Sequence, residues 1–464
     1  MQMAESAAGE VEAEQEELRR GLSHRQIQLI AIGGAIGVGL FLGSGKAISE
    51  AGPAVLLCYL GVGAVIFLMM RALGEMAVEQ PVAGSFAAYA EQFVGRWAGF
   101  ATGWTYWLMW TVTVMAEITA VGIYTQFFFP EVAQWIPPAA SVVVLMGANL
   151  ATVRLFGETE FWFALVKIVA IISFIVVGLA VLVFGLGSLS EQAALSNLWS
   201  HGGFFPEGAG GMLAALQIVT FAFIGVELIG VTAGETRNPR RELPSAINRV
   251  AWRILLFYVG AITVVLALIP WNQVSTTTSP FVIAWDSVGI GVAAGILNGV
   301  VLTAALSSSN SGIFASARML FSLAERDEAP HGFHTLSRAH VPARGVLVTG
   351  AVLALGVILN AVAPERAFTY ITSVATVGIL WVWGMIAFAH LRFRAERAAR
   401  GAPPGRFPMP GYPWTNYAVI AYLGLVAVLL AVTPDQRIAL AAGATWAILL
   451  FAGWTARSRR GAEP

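Results

Sequence analysis

The chain has 464 residues, of which 57% are hydrophobic and only 12% are charged. Soluble domains carry about 25% charged residues, so the composition excludes an ordinary soluble domain. The 27 basic and 27 acidic residues balance, which gives no reason to expect a nucleic-acid partner. The single cysteine, Cys58, excludes an internal disulfide and a thiolate metal cluster.

Apolar segments recur along the whole chain at about 20 residues, the length of helix that crosses a hydrocarbon core of roughly 30 Å. They lack the alternation typical of a transmembrane β-barrel, so helices are the expected spanning elements. The sequence therefore predicts an all-α polytopic membrane protein with twelve transmembrane helices. The expected spans are residues 26–49, 53–78, 97–129, 139–153, 159–185, 211–234, 245–269, 290–323, 345–362, 368–391, 417–432 and 438–454.

The orientation of these spans follows from their basic residues, which stay on the cytoplasmic side. With the amino terminus inside, the outer loops hold only Lys46, Arg366 and Arg437, and the other loop arginines fall inside. Both termini are therefore predicted to be cytoplasmic. Residues 1–22 are interpreted as an acidic cytoplasmic tail without a cleavable signal peptide, and residues 80–96 as a short cytoplasmic helix against the bundle.

Glycines interrupt the first span in the run GGAIGVG, residues 33–39. Each glycine destabilises a helix by about 1 kcal/mol relative to alanine, so the helix is predicted to unwind there. Freed backbone groups at that depth are tolerated where they line a cavity, and the N-terminus of the resumed helix suits a carboxylate. The alternative is close helix packing through the pairs Gly33/Gly37 and Gly39/Gly43.

The sixth span repeats this pattern in the run FAFIGVE, residues 221–227, where a glycine and Glu227 lie mid-span. Two interrupted helices in corresponding places of two halves indicate the binding site of a secondary transporter with inverted repeats. Glu227 is expected either to hold the break together or to exchange protons, and the pattern leaves both open.

Lys167 is the one ionisable side chain between Phe161 and Phe184. It lies roughly 13 Å into the fifth span at 1.5 Å per residue, close to the bilayer centre. A lysine there costs about 2.5–3.5 kcal/mol on insertion scales and is a functional candidate by default. Because desolvation disfavours the charged form, Lys167 is a candidate proton carrier. The alternative is a permanently charged lysine bound to helix carbonyls.

Three further polar features lie within the spans. Glu117, in the third span, is a candidate for the substrate's access path. Glu75 follows Arg71 by four residues, which predicts an ion pair along the helix. The run SSSNS, residues 307–311, offers hydroxyls that could meet Lys167; ordinary hydrogen bonding between helices is the alternative.

An enzyme embedded in the membrane is not expected. The chain has no His-Glu-x-x-His sequence and no nucleophile with a partner base, and its histidines lie in loops or near the ends of spans. No cofactor or metal is predicted.

Five sequence blocks resemble the amino-acid transporter family of the APC superfamily. They are LSHRQIQLIAIGGAIGVGLFLGSG (22–45), MRALGEM (70–76), FGETEFWFALVKIVAI (156–171), FAFIGVELIGVTAGET (221–236) and LTAALSSSNSGIFASARML (302–320). The resemblance runs from about residue 18 to beyond residue 410. Among the members the chain looks most like the D-serine/D-alanine/glycine transporters, whereas MAEITAVGIY (115–124) looks more like the aromatic-amino-acid permeases.

The resemblance implies a leucine-transporter-like core, with helices 1–5 and 6–10 as inverted repeats and two accessory helices. It divides the chain into a core (23–400), accessory helices 11 and 12 (401–456) and a cytoplasmic tail (457–464). Backbone N–H groups would bind the substrate's carboxylate and carbonyls its ammonium. The implied substrate-binding residues are Ala35, Ile36, Gly37, Val38, Gly39, Phe221, Ala222 and Ile224.

The family also implies a proton site. In sodium-coupled relatives a cation bridges the first and eighth helices, and in proton-coupled ones a lysine of the fifth helix takes that place. Lys167 matches this lysine, so the chain resembles the sodium-independent members. The implied proton-coupling residues are Lys167, Gly33, Ser308, Ser309 and Glu227.

The predicted function is import of amino acids, small and neutral ones, by proton symport with alternating access. The predicted partners are the amino acid, the proton and the lipid bilayer of the cell membrane, without an obligate protein partner. The alternatives are an amino-acid exchanger and a membrane nutrient sensor.

Overall fold

The computed structural model describes residues 36–82, 85–151, 153–185, 193–231, 239–276, 278–287 and 291–460. Throughout these ranges the chain forms helices joined by turns and contains no strand, which confirms the all-α prediction. The predicted acidic tail and the start of the first span, including Gly33 and Ala35, lie outside the described residues.

The α-helices are numbered here in chain order. They are α1 (Val38–Phe41), α2 (Gly43–Ala51), α3 (Val55–Glu79), α4 (Ser85–Phe93), α5 (Arg96–Phe128), α6 (Ile136–Ala151), α7 (Val153–Phe184), α8 (Gly208–Phe221), α9 (Leu228–Val231), α10 (Pro239–Arg253), α11 (Ala261–Leu268), α12 (Pro280–Ser287), α13 (Gly291–Glu325), α14 (Ala343–Val362), α15 (Pro364–Ala399), α16 (Trp414–Val432) and α17 (Ile438–Arg460). A π-helical segment, Ile254–Gly260, joins α10 to α11 within the seventh span.

Each predicted span overlaps one or more of these helices. Within the described residues, nine helical stretches are long and apolar enough to cross a membrane, and α6 and α8 are shorter apolar helices. The chain is therefore a polytopic membrane protein, whereas the count of twelve crossings stays a prediction. The short helix predicted after the second span is α4, whose buried Phe86 and Tyr89 pack against the bundle.

The sixth span is discontinuous, and the described part of the first span begins its helix at the predicted break, which is called the first-span break from here on. In the first span, α1 begins at Val38 directly after the extended residue Gly37, whose φ is −130° and ψ is −159°. In the sixth span, α8 ends at Phe221, the chain turns through residues 222–227, and α9 begins at Leu228. Helix α5 is buried along most of its length, and α13 and α15 pack along it. This packing places the two breaks beside the middle of α5.

Charged residues gather at the two ends of the bundle. At one end the Lys46 ammonium donates to Thr369 Oγ1 at 3.1 Å, and Lys46 and Arg366 both lie within electrostatic range of Asp435. At the other end Arg326 lies 3.5 Å from Glu328. Residues of the predicted outer loops thus share the first end, and residues of the predicted inner loops share the second.

Candidate functional site

The two broken spans touch through their backbones. A Cβ atom added to Gly39 would lie 2.5 Å from Cα of Ala222, so a side chain at this position would force α1 away from the sixth-span break. Gly39 therefore serves the close packing that was the alternative interpretation of the glycine run. Gly37 has an extended backbone, and α1 begins at the next residue.

A small cavity lies at this contact, with a volume of about 10 Å³. That is roughly the space of a single water molecule, so the two breaks must separate before a larger ligand can bind between them. The cavity joins residues of the first, third, sixth and eighth spans. Its lining is Gly37, Gly39, Trp110, Thr113, Glu117, Phe221, Ala222, Ile224 and Ser308.

The Glu117 carboxylate fills the space beside the first-span break. The backbone N–H of Val38 donates to both of its oxygens, at 3.2 Å each, and the Ser308 hydroxyl donates to Oε1 at 2.9 Å. Glu117 is 3% exposed. A Cβ atom on Gly37 would overlap the carboxylate, so this approach requires glycine. The sequence predicted a pathway role for Glu117 and did not predict these contacts.

Lys167 is buried within the bundle, 1% exposed, in the middle part of α7. Its ammonium lies within electrostatic range of the Glu117 carboxylate. Of the other predicted proton-site residues, Ser308 contacts Glu117, the Ser309 hydroxyl donates to the Ala305 carbonyl at 2.8 Å, and Gly33 lies outside the described residues. Because Lys167 is only 1% exposed, its side chain faces protein rather than acyl chains.

Glu227 holds the sixth-span break. The N–H of Gly225 donates to its Oε1 at 3.3 Å and its Oε2 at 3.1 Å, and the carboxylate is fully buried. Gly225 adopts a φ of +102°, which residues with a side chain rarely adopt. These contacts support the first of the two roles predicted for Glu227, in which it stabilises the break.

Two of the backbone carbonyls that were predicted to bind an ammonium already accept a hydrogen bond within the protein. The N–H of Ile224 donates to the Phe221 carbonyl at 3.0 Å, and the Tyr258 hydroxyl donates to the Ala222 carbonyl at 3.1 Å. Each carbonyl keeps a second lone pair for a ligand. Ile36, also in the predicted binding set, lines a neighbouring cavity with Phe223.

Two cavity residues, Trp110 and Thr113, were missed from the sequence. With Glu117 they follow the spacing i, i+3 and i+7 along α5, which places all three on one face of the helix. That face contains a carboxylate at membrane depth, and this spacing was the signal that would have found them.

The predicted ion pair between Arg71 and Glu75 is wrong. Glu75 is fully buried and lies 2.9 Å from His390 Nε2 and 3.0 Å from the Arg394 guanidinium. Arg71 instead donates to the Pro408 carbonyl at 2.6 Å. His390 and Arg394, on the neighbouring helix α15, reach Glu75 inside the bundle, whereas Arg71 points to the 400–413 loop. His390, near the end of the predicted tenth span, is buried and takes part in this pair.

Comparison with known proteins identifies the family. The family model described as "Amino acid permease" matches residues 26–462. The chain belongs to the amino acid permease family. It is therefore a multi-pass transport protein of the cell membrane and not an enzyme, as the sequence predicted.

Three bacterial relatives match this permease over nearly their whole lengths. The uncharacterized amino acid permease YtnA of Bacillus subtilis is 49% identical, over 95% of this chain and 96% of its own. The amino-acid permease AapA of the same organism is 46% identical over 97% of each chain. The aromatic amino acid transport protein AroP of Escherichia coli K12 is 44% identical over 95% of each chain.

Proposed function

We propose that this permease imports small neutral amino acids together with protons, by alternating access. The observation that carries the proposal is the burial of Lys167 within electrostatic range of Glu117, whose carboxylate accepts from the N–H of Val38, the first residue of α1. A buried ammonium at membrane depth is costly and marks an ion pathway or proton relay by default.

The substrate's carboxylate would bind the N–H groups of Gly37, Val38 and Gly39. Its ammonium would bind carbonyls at Ala35, Phe221, Ala222 and Ile224. The preference for small neutral substrates comes from the sequence, and the cavity of about 10 Å³ must widen for any amino acid. AroP is named for aromatic substrates, so phenylalanine is the natural competitor in an uptake assay. The resemblance to D-serine/D-alanine/glycine transporters stays a prediction.

The cycle would begin with both breaks open to one side of the membrane. Binding of the zwitterion at the breaks and of a proton at Lys167 would precede rocking of a helix bundle and release on the other side. Coupling requires that substrate affinity differ between the two protonation states of Lys167. Glu227 would hold the sixth-span break through the cycle and is the carboxylate among the predicted proton-coupling residues.

The wider organisation belongs to the same proposal. Residues 23–400 would form the inverted-repeat core, with the breaks at the start of each repeat, and residues 401–456 would form the accessory helices. Both termini would lie in the cytoplasm. This orientation is supported by the separation of basic residues between the two ends of the bundle.

Uptake into proteoliposomes tests the proposal. Labelled L-serine and labelled glycine should accumulate inside when the outside is made acidic. Unlabelled D-serine and L-phenylalanine are added as competitors. Lys167→Ala should lose accumulation and keep counterflow exchange. Lys46→Ala, which changes the chain's other lysine at the end of the bundle, is the matched control and should accumulate substrate.

Unchanged accumulation in Lys167→Ala would exclude the lysine as the proton carrier. Counterflow without any response to the pH gradient in the wild type would indicate an exchanger. Binding without transport would indicate a nutrient sensor.

A further inference from the structure

The Glu117 carboxylate occupies the place proposed for the carboxylate of the substrate. Both of its oxygens accept from the Val38 N–H, the group that would receive the amino acid. The carboxylate is 3% exposed, Gly37 lies against it and Ser308 donates to Oε1. Two carboxylates cannot share these donors, since like charges at hydrogen-bonding distance repel strongly.

We propose that Glu117 stands in for the substrate's carboxylate, holding the Val38 N–H until an amino acid displaces it. The inference rests on the proposed function, because it needs the amino acid to bind at the first-span break. It adds a specific role for Glu117, as the group with which every substrate competes.

The charged and titratable groups facing Glu117 indicate where the displaced carboxylate goes. The eighth span presents Ser308, the fifth presents Lys167, and its own helix presents Tyr124 within electrostatic range. The lysine is the cation among these groups. A carboxylate that moves toward Lys167 stabilises the protonated amine. Displacement of Glu117 by substrate therefore retains a proton on Lys167 and links the two binding events.

Binding measurements on purified protein test this role. The probe is whichever of L-serine, glycine and L-phenylalanine the wild type accumulates. In Glu117→Gln the competing charge is gone, so the Kd should fall about tenfold, the factor for one hydrogen bond to a charged group. Gradient-driven accumulation should fall in the same variant, because Lys167 loses its carboxylate partner. The opposite directions of the two effects are not expected from a structural role.

Two further variants keep the test interpretable. Glu117→Asp retains the charge with a shorter reach, so it should restore part of the coupling. Thr125→Val, on the same helix, removes a hydroxyl that donates to the Val121 carbonyl, and should match the wild type in both assays.

The binding results distinguish failure of the role proposed for Glu117 from failure of the proposed function. A folded Glu117→Gln protein that binds the probe as the wild type does, or more weakly, would overturn the stand-in role while leaving amino-acid transport intact. A wild type that binds none of the three probes would instead overturn the proposed function.

Discussion

Two buried carboxylates in this permease have opposite surroundings. Glu75, at the end of α3, is held by four groups: His390 Nε2 at 2.9 Å, the Arg394 guanidinium at 3.0 Å, and the N–H groups of Gly405 at 3.2 Å and Met409 at 2.8 Å. All four come from α15 and from the loop that follows it. This carboxylate fastens the loop before α16 to the core.

Glu117, in the middle of α5, is held by the Val38 N–H and the Ser308 hydroxyl. Its backbone donor belongs to the break where a substrate is proposed to bind. A carboxylate whose hydrogen-bond donors all come from structural elements stabilises the fold. A carboxylate that accepts from a donor in a binding site can be displaced by a ligand. Burial alone does not separate the two cases, because Glu75 is 0% and Glu117 3% exposed.

The largest effect should follow from Glu75→Gln. Removing the charge leaves the partly buried Arg394 guanidinium, 13% exposed, without the buried carboxylate that pairs with it, and breaking a buried pair costs about 3–5 kcal/mol. The apparent melting temperature in detergent should drop sharply. Glu396→Gln, at an exposed pair with Arg400 at the same end of the bundle, is the control and should change little. The comparison fails if Glu117→Gln loses as much stability as Glu75→Gln.

A smaller effect should follow from Gly39→Ala. The added Cβ, 2.5 Å from Cα of Ala222, should force the two breaks apart, at about 1–3 kcal/mol for overpacking. Uptake should fall with the melting temperature. Gly61→Ala, in α3, meets no atom within 4 Å and should be neutral or stabilising. Equal behaviour of the two variants would mean that the breaks are not tightly packed.

Much of this architecture could be predicted from the sequence. Some helix ends lie within a few residues of the predicted ones, as in α14 (Ala343–Val362), because hydrophobic length is a local property. Helix α15 runs to Ala399, past the predicted end at residue 391. The break in the sixth span follows from its glycine, and the burial of Lys167 follows from the cost of exposing an amine to lipid.

The partners of the buried carboxylates could not be predicted in the same way. Glu117 and Val38 are 79 residues apart, and Glu75 and His390 are 315 apart. Spacing along the helix predicted an ion pair between Arg71 and Glu75, yet packing between helices brings His390 and Arg394 closer to Glu75. Such pairs depend on how the helices are arranged, which no local pattern contains.

Ser308→Ala sharpens the contrast further. Its hydroxyl donates to the Glu117 carboxylate, so its loss should ease displacement and lower the Kd for substrate by up to about tenfold, the factor for a hydrogen bond to a charged group. Thr303→Val, on the same helix, removes a hydroxyl that donates to the Val300 carbonyl and serves as the control. Titration of purified protein with labelled amino acid measures both. A higher Kd in Ser308→Ala would place the hydroxyl on the substrate instead.

The smallest effect concerns another buried carboxylate, Glu328, in the turn after α13. Burial raises the pKa of Glu328 above the ordinary carboxyl value, although Arg326 and Arg457 oppose the rise. Folded protein then holds this proton more tightly than unfolded protein does. The stability from this group is therefore present at acid pH and is lost as pH rises through the raised pKa.

Glu328→Gln removes this dependence. Between pH 4 and pH 7 the melting temperature of the wild type should fall relative to the variant by about 1–2 °C. Parallel curves for the two proteins would show that Glu328 behaves as a fully paired anchor like Glu75.

The central claim is that amino acid and proton move together through the site formed by Lys167 and the first-span break. Proteoliposomes loaded with a pH-sensitive dye measure this directly when amino acid is added outside without an imposed gradient. The wild type should acidify the interior as substrate enters, and Lys167→Ala should admit substrate by exchange without acidification. Substrate entry without proton movement in the wild type, or equal acidification in Lys167→Ala, would contradict the account.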